Sequence, residues 1–269
     1  MKKIIAIAIL AILISCHAKQ VGNKMGTVER IDPALDSLIS PGAVPEVIAE
    51  RFAWSEGPVW VDSIHALLFS DVPKNIIYKW TAEKGCEMYL TPSGYTSDVK
   101  RGGEMGSNGL LLNNEGKLVL CQDGNRQMAW MNAPLGHPAA NFVKIASHYQ
   151  GKRFSSPNDA VYNSEGELFF TDPPYGLETQ RDDDPAKEIP YNGVFKVKKN
   201  GDVVLLIDSL ARPNGIAFLP GQKKLLIANS DGAKPNWYVY DVNGDSLTNG
   251  KIFCSTVGSP KQIKDRQTV

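Results

Sequence analysis

Hydrophobic positions in this chain fall in short runs separated by turn-forming clusters, and helical periodicity is almost absent. Four stretches repeat one order of polar and apolar positions. They are SEGPVWVDSIHALLFSD (55–71), SNGLLLNNEGKLVLCQD (107–123), PNDAVYNSEGELFFTD (157–172) and PNGIAFLPGQKKLLIANSD (213–231). Each opens on an acidic or amide residue followed by Gly or Asp, then enters a short apolar run. A turn follows, as at Asn114-Glu115-Gly116, Ser164-Glu165-Gly166 and Pro220-Gly221-Gln222. A second apolar run then ends on a polar residue, most often Asp. The opening residues are Glu56, Asn108, Asn158 and Asn214, spaced by 52, 50 and 56 residues. That period is the length of a four-stranded propeller blade. Third strands are expected over Ile76 to Trp80, Gly193 to Val197 and Trp237 to Tyr240, and an outer strand over Val203 to Ile207. The pattern therefore predicts an all-β fold, a β-propeller.

The N-terminal residues break this pattern. Lys2 and Lys3 precede an apolar run from Ile4 to Ile14, the layout of an export signal and too short for a good membrane span. Leu13-Ile14-Ser15-Cys16 reads as a lipobox, which places an acylated Cys16 at the mature N-terminus of a periplasmic or outer-membrane-anchored lipoprotein. Residues 17–44 form a polar tether in which Asp32 to Ile39 is expected to make a helical turn, and 45–269 form the propeller. Formal net charge is zero, with no basic block, which removes any electrostatic case for nucleic acid. Membrane association is expected only through the lipid. Cys86, Cys121 and Cys254 show no close spacing and read as buried thiols, with no disulfide framework.

Repetition also locates the candidate chemistry. Inner strands of successive blades lie nearest the propeller axis, so Glu56, Asn108, Asn158 and Asn214 are expected at one end of a common channel. A single Asn-Gly is an ordinary turn pair, but four such positions in phase point to a polar site. Carboxylate and amide oxygens suit a hard cation such as Ca²⁺, and the absence of sulfur and imidazole there speaks against zinc. The motif G-x-S-x-G is missing, and His17, His65, His137 and His148 share no motif, so serine-hydrolase chemistry is unsupported.

SEGPVW (55–60), the long segment 149–197 containing SSPNDAVYNSEGELFFTDPPYG, and RPNGIAF (212–218) resemble the gluconolactonase and senescence marker protein (regucalcin)-like family. The resemblance spans about residues 45–258 and implies a six-bladed propeller that binds one divalent cation and hydrolyses lactones. It implies Glu56, Asn158 and Asn214 as metal ligands, with Asn158 also at the substrate. It implies Asn108 as a channel-lining, substrate-facing residue, and Asp159 just behind the site. Arg153 and Tyr175 are candidates for sugar hydroxyls. The acidic run Asp182-Asp183-Asp184 reads as a solvated loop. The ion stays open among Ca²⁺, Mg²⁺, Mn²⁺ and Zn²⁺.

The chain departs from the family in one respect. The family's further ligand and catalytic base, an Asp about one blade beyond Asn214, has no counterpart; Asp265 lies near that register without the following Gly. The length after residue 45 corresponds to about four and a half blades, so an incomplete propeller is expected, truncated in the favoured reading or, alternatively, closed by assembly with another chain. Asp159 is the nearest substitute base. Two functions follow: metal-dependent hydrolysis of a sugar lactone to its aldonic acid, or, alternatively, an inactive propeller acting as a sugar- or protein-binding module.

Overall fold

A computed structural model describes residues 23–255, and the leader, Cys16 and Asp265 lie outside them. The chain divides into two compact units, Met1–Ile48 and Ala49–Val269. In the first, β1 (Asn23–Lys24) pairs antiparallel with β2 (Glu46–Val47). The helical turn expected at Asp32 to Ile39 is a 3-10 helix at Pro33–Ser37, where the Asp32 carboxylate accepts from the Ala34 N–H as N-cap.

The second unit is all-β. β3 (Ser55–Val61), β4 (Ala66–Asp71), β5 (Ile76–Thr81) and β6 (Gly85–Leu90) form the first of four antiparallel four-stranded sheets. β7 (Ser107–Leu112), β8 (Leu118–Gln122), β9 (Gln127–Met131) and β10 (Phe142–Ala146) form the second. A short pair, β11 (His148–Tyr149) and β12 (Lys152–Arg153), follows. The third sheet holds β13 (Ala160–Tyr162), β14 (Leu168–Asp172), β15 (Gly193–Val197) and β16 (Val203–Ile207). The fourth holds β17 (Pro213–Phe218), β18 (Lys224–Asn229), β19 (Asn236–Asn243) and β20 (Ser246–Ser255). Every sheet is a meander in chain order, one per repeat. The partial fifth repeat expected from the length falls largely on residues 256–269, outside the described ones.

Three cores join the four sheets face to face. Val61, Leu68 and Ile77 of the first sheet pack with Leu110, Leu118 and Leu120 of the second. Val119, Cys121 and Met128 of the second meet Phe154, Phe170 and Phe195 at the third. Phe169 and Val194 of the third meet Ile216, Leu225 and Ile227 of the fourth. Phe169 and Phe170 are neighbours in β14, yet they belong to different cores because successive strand side chains point to opposite faces. β14 is covered on both faces, so LFFTD is buried at every position, with the polar Thr171 and Asp172 at its end satisfied by hydrogen bonds. Each such Phe or Leu contributes roughly 1.5–3 kcal/mol.

Two expectations need correction. Cys121 is buried and free as expected, but Cys86 and Cys254 are exposed, because both lie on outermost strands of their sheets, β6 and β20. The acidic run is only partly solvated. Asp184 is 5% exposed, and its carboxylate accepts from the Thr179 N–H and hydroxyl and from the Ala186 N–H, holding a turn that the loop would otherwise lack. Asp182 pairs with Arg212 at 2.6 Å and accepts from the Asn192 amide, while Asp183 stays at the surface with Arg181. Among the described residues no helix is long and apolar enough to cross a membrane.

Candidate functional site

The four repeat-opening residues stand at the start of, or just before, the first strands β3, β7, β13 and β17. Those strands are laced to one another through the anchors' own backbone. The Ser70 hydroxyl donates to the Asn108 carbonyl at 2.9 Å, the Gly109 N–H to the Asn158 carbonyl at 2.8 Å, and the Thr171 hydroxyl to the Asn214 carbonyl at 2.7 Å. Each amide anchor thus uses its main chain to bind the preceding sheet, and its side chain is left for other work.

The small residue after the anchor permits this approach. A Cβ on Gly109 would lie 2.9 Å from the Asn158 carbonyl oxygen and 2.8 Å from the Asp159 carboxylate. In the third repeat this place is taken by Asp159 itself. One of its carboxylate oxygens accepts from the Ile216 N–H at 3.0 Å and the other from the Ala160 N–H at 2.9 Å. Asp159 is therefore a staple between the third and fourth sheets. Burial raises its pKa against these two hydrogen bonds.

The anchor side chains differ in freedom. Asn158 is 2% exposed, and its amide makes no hydrogen bond to the described residues. Asn108, 6% exposed, donates from Nδ2 to Asp123 Oδ2 at 3.5 Å. Asn214 donates from Nδ2 to the Ser230 hydroxyl at 3.3 Å, and that hydroxyl meets the Tyr175 hydroxyl at 2.8 Å. Glu56 accepts from the Trp54 indole N–H through one oxygen at 2.9 Å. In both bonded amides the nitrogen is engaged and the oxygen is left without a partner, the polarity a cation requires of an amide ligand.

Tyr175 thus stands one hydroxyl away from Asn214, and burial raises its pKa. Arg153 is placed differently: its guanidinium donates to the Asn125 carbonyl at 3.2 Å and its N–H to Glu188. Among the described residues no three His, Cys, Asp or Glu side chains come together as a metal-holding group. A cation here must take amide oxygens besides Glu56, and such a donor set suits hard ions over zinc.

Two acids at this end of the sheets escaped sequence reasoning. Asp123 follows β8 and is fully buried, and Glu104 lies in the RGGEMG loop ahead of β7. Asp123 Oδ1 has no hydrogen-bond partner among the described residues, and the Glu104 N–H donates to the Tyr175 carbonyl at 3.1 Å. Burial raises both pKa values, that of Asp123 far above the ordinary carboxylate range. Glu104 lies outside the repeated stretches, so phase could not find it. The Gly-flanked acid just before an anchor strand was the available signal.

The family model that matches this chain is the SMP-30/Gluconolactonase/LRE-like region, over residues 54–265. A gluconolactonase of Zymomonas mobilis subsp. mobilis is 39% identical over 234 residues, 86% of this chain and 64% of that protein. The chain therefore spans less than two thirds of this relative's length. A solved gluconolactonase from Xanthomonas campestris superposes with a TM-score of 0.65 at 23% identity, covering 78% of this chain and 65% of that one. A calcium-binding regucalcin from Agrobacterium tumefaciens gives 0.57 at 12% identity, covering 78% and 62%. At these identities the two structures speak for the fold, the propeller type expected from the repeat.

Proposed function

Because this chain belongs to the SMP-30/Gluconolactonase/LRE-like family, we propose that it hydrolyses a sugar lactone to the aldonic acid with the help of a divalent cation, Ca²⁺ in the first instance. The observation that carries the reading is Asn158, a buried residue whose side-chain amide has no hydrogen-bond partner among the described residues, in phase with Glu56 on the first sheet and Asn214 on the fourth. Glu56, Asn158 and Asn214 would hold the cation. When bound, the ion supplies a Lewis acid for the lactone carbonyl.

The chain's own groups do the rest. Asn108 offers an amide oxygen beside the site, its nitrogen being turned to Asp123. The Tyr175 hydroxyl and its Ser230 partner can exchange hydrogen bonds with sugar hydroxyls at the same end of the sheets. Asp159 has both oxygens on backbone N–H groups, so its part is to hold the third and fourth sheets in register, and the base must come from elsewhere.

Hydrolysis of an aldonolactone in a pH-stat, paired with calcium titration calorimetry, tests the proposal. Glu56→Ala is expected to abolish measurable Ca²⁺ binding and lower kcat/KM by at least about a hundredfold, and chelation of the wild-type protein is expected to match it. Turnover that survives both treatments would sink the reading.

A further inference from the structure

Trp54 leaves a large indole in solvent at the end of the sheets where the anchors stand. It is 58% exposed, and it stacks on none of the described aromatic rings. Its main chain, in contrast, is fixed. The Trp54 N–H donates to the buried Asp71 carboxylate at 3.2 Å, and the Trp54 carbonyl accepts from the Val72 N–H at 3.1 Å. Gly57, at φ +57°, lies against the Asn108 carbonyl of the second sheet. The stretch from Trp54 to Gly57 is thus held at both ends, with Glu56 inside it. Residues two apart in an extended chain point to the same side. The indole therefore reaches Glu56, and its Nε1–H donates to Oε1 at 2.9 Å. Among the described residues that is the one hydrogen bond either side chain makes.

That bond makes the two oxygens of the Glu56 carboxylate unequal. Oε1 carries the indole N–H, while Oε2 keeps all its lone pairs. The hydrogen bond also restrains the carboxylate from turning both oxygens to one point. The inequality matters differently to different hard ions. Ca²⁺ accepts a carboxylate through one oxygen or both, in a loose shell of six to eight ligands. Mg²⁺ demands a near-octahedral shell, which the narrow bite of a two-oxygen carboxylate distorts. The same pairing recurs at the far end of β3, where Trp60, 49% exposed, donates from Nε1 to Asp62 Oδ1 at 2.6 Å. No anchor stands there, so Trp60 supplies a matched control within the same strand.

We propose that Trp54 is a positioning residue for Glu56: its indole N–H occupies one carboxylate oxygen so that the other faces the cation, and it thereby sets how the site discriminates Ca²⁺ from Mg²⁺. The assignment rests on the reading of Glu56 as a metal ligand. Outer hydrogen bonds to ligating groups are worth roughly 10–100-fold in metal affinity. Without the N–H, the Glu56 carboxylate is free to turn. Ca²⁺ recovers part of the loss by taking both oxygens, a recourse that Mg²⁺ lacks. Trp54 therefore holds Glu56 in the one-oxygen form that both ions can use, and its removal is felt more by the smaller ion.

The test is calorimetric titration of the metal-free protein with Ca²⁺ and, separately, with Mg²⁺. Trp54→Phe keeps an aromatic ring and loses the N–H. It is expected to weaken Ca²⁺ about tenfold and Mg²⁺ about a hundredfold, with the melting point in chelator unchanged. Trp60→Phe is expected to leave both affinities as they are. Proton–nitrogen spectra of the five indole N–H groups give a second reading. The signal that Trp54→Phe removes is expected to move when Ca²⁺ is added to the wild-type protein, and the signal that Trp60→Phe removes is expected to stay. Should Trp54→Phe melt early in chelator, these spectra decide by themselves. A moved signal that survives in Trp60→Phe supports the assignment, and five unmoved signals overturn it. Wild-type affinities in Trp54→Phe overturn the assignment alone, and equal losses for the two ions overturn the one-oxygen hold. A wild-type protein that binds neither ion overturns the reading of Glu56 as a ligand, and the assignment with it.

Discussion

Asp172 illustrates how much one side chain carries at the residue scale. It is fully buried, accepts from two successive backbone N–H groups at 2.9 and 2.7 Å, and has its pKa pushed by burial up to about 6. That value lies above the unfolded value of roughly 4. Between about pH 4 and pH 6 the folded protein therefore binds more protons at this site than the unfolded chain. Its contribution to stability declines as pH rises through that window. Asp172→Asn removes the titration but turns an amide NH₂ toward a backbone N–H, at a cost of about 1–3 kcal/mol. Urea midpoints across pH are the measurement: the gap between the two proteins is expected to be widest near pH 4 and to narrow toward pH 6. Parallel profiles would contradict the buried-acid account.

At the element scale the inner strands set the tolerances. Gly57 follows the first anchor with φ +57°, and a Cβ there would press into the Asn108 carbonyl on β7. Gly215 follows the fourth anchor in ordinary backbone space, and the nearest atom to its Cβ would be 3.7 Å away. The two glycines look equivalent in the repeat and differ in what adjoins them. Gly57→Ala is expected to cost about 2 kcal/mol or more, by strain and by parting the first two sheets. Gly215→Ala is expected to stay within about 0.5 kcal/mol. Thermal melts of the two variants decide the matter, and equal losses would mean that inner-strand packing is the same at both positions. Neighbouring sheets also share side chains of opposite parity, as Phe169 and Phe170 do, so a one-residue slip in β14 would empty two cores at once.

Across the molecule, the proposed ligands Glu56, Asn158 and Asn214 belong to three different sheets joined only through their shared cores and inner strands. An ion held by them acts as a cross-link that the unfolded chain cannot form. Ca²⁺ at a hundred times its Kd is therefore expected to add about 2.7 kcal/mol to unfolding free energy. Melts with Ca²⁺ and with chelator read this out, and Glu56→Ala should show no difference between the two. A wild-type melting point indifferent to Ca²⁺ would count against the cross-link even if turnover were found.

The sequence by itself determined the all-β class, the repeat and the four anchors, because strand alternation and a fixed period are local properties of a chain. It also placed β15 and β16 at their observed ends and kept β5 to within one residue. Only the tertiary structure decided which acids are equivalent. Asp71, Asp123, Asp172 and Asp231 all close their stretches, yet pairing puts Asp71 opposite the residue before the anchor, Asp123 one position later and Asp231 two, while Asp172 clamps the incoming loop as Asp71 does. Register between strands depends on bulges such as those after Glu56, Ser107 and Pro213, which composition does not announce. Glu104 likewise became visible only when the fold laid its loop against Asp123. Proximity in space is a property of the packed sheets rather than of the order of residues.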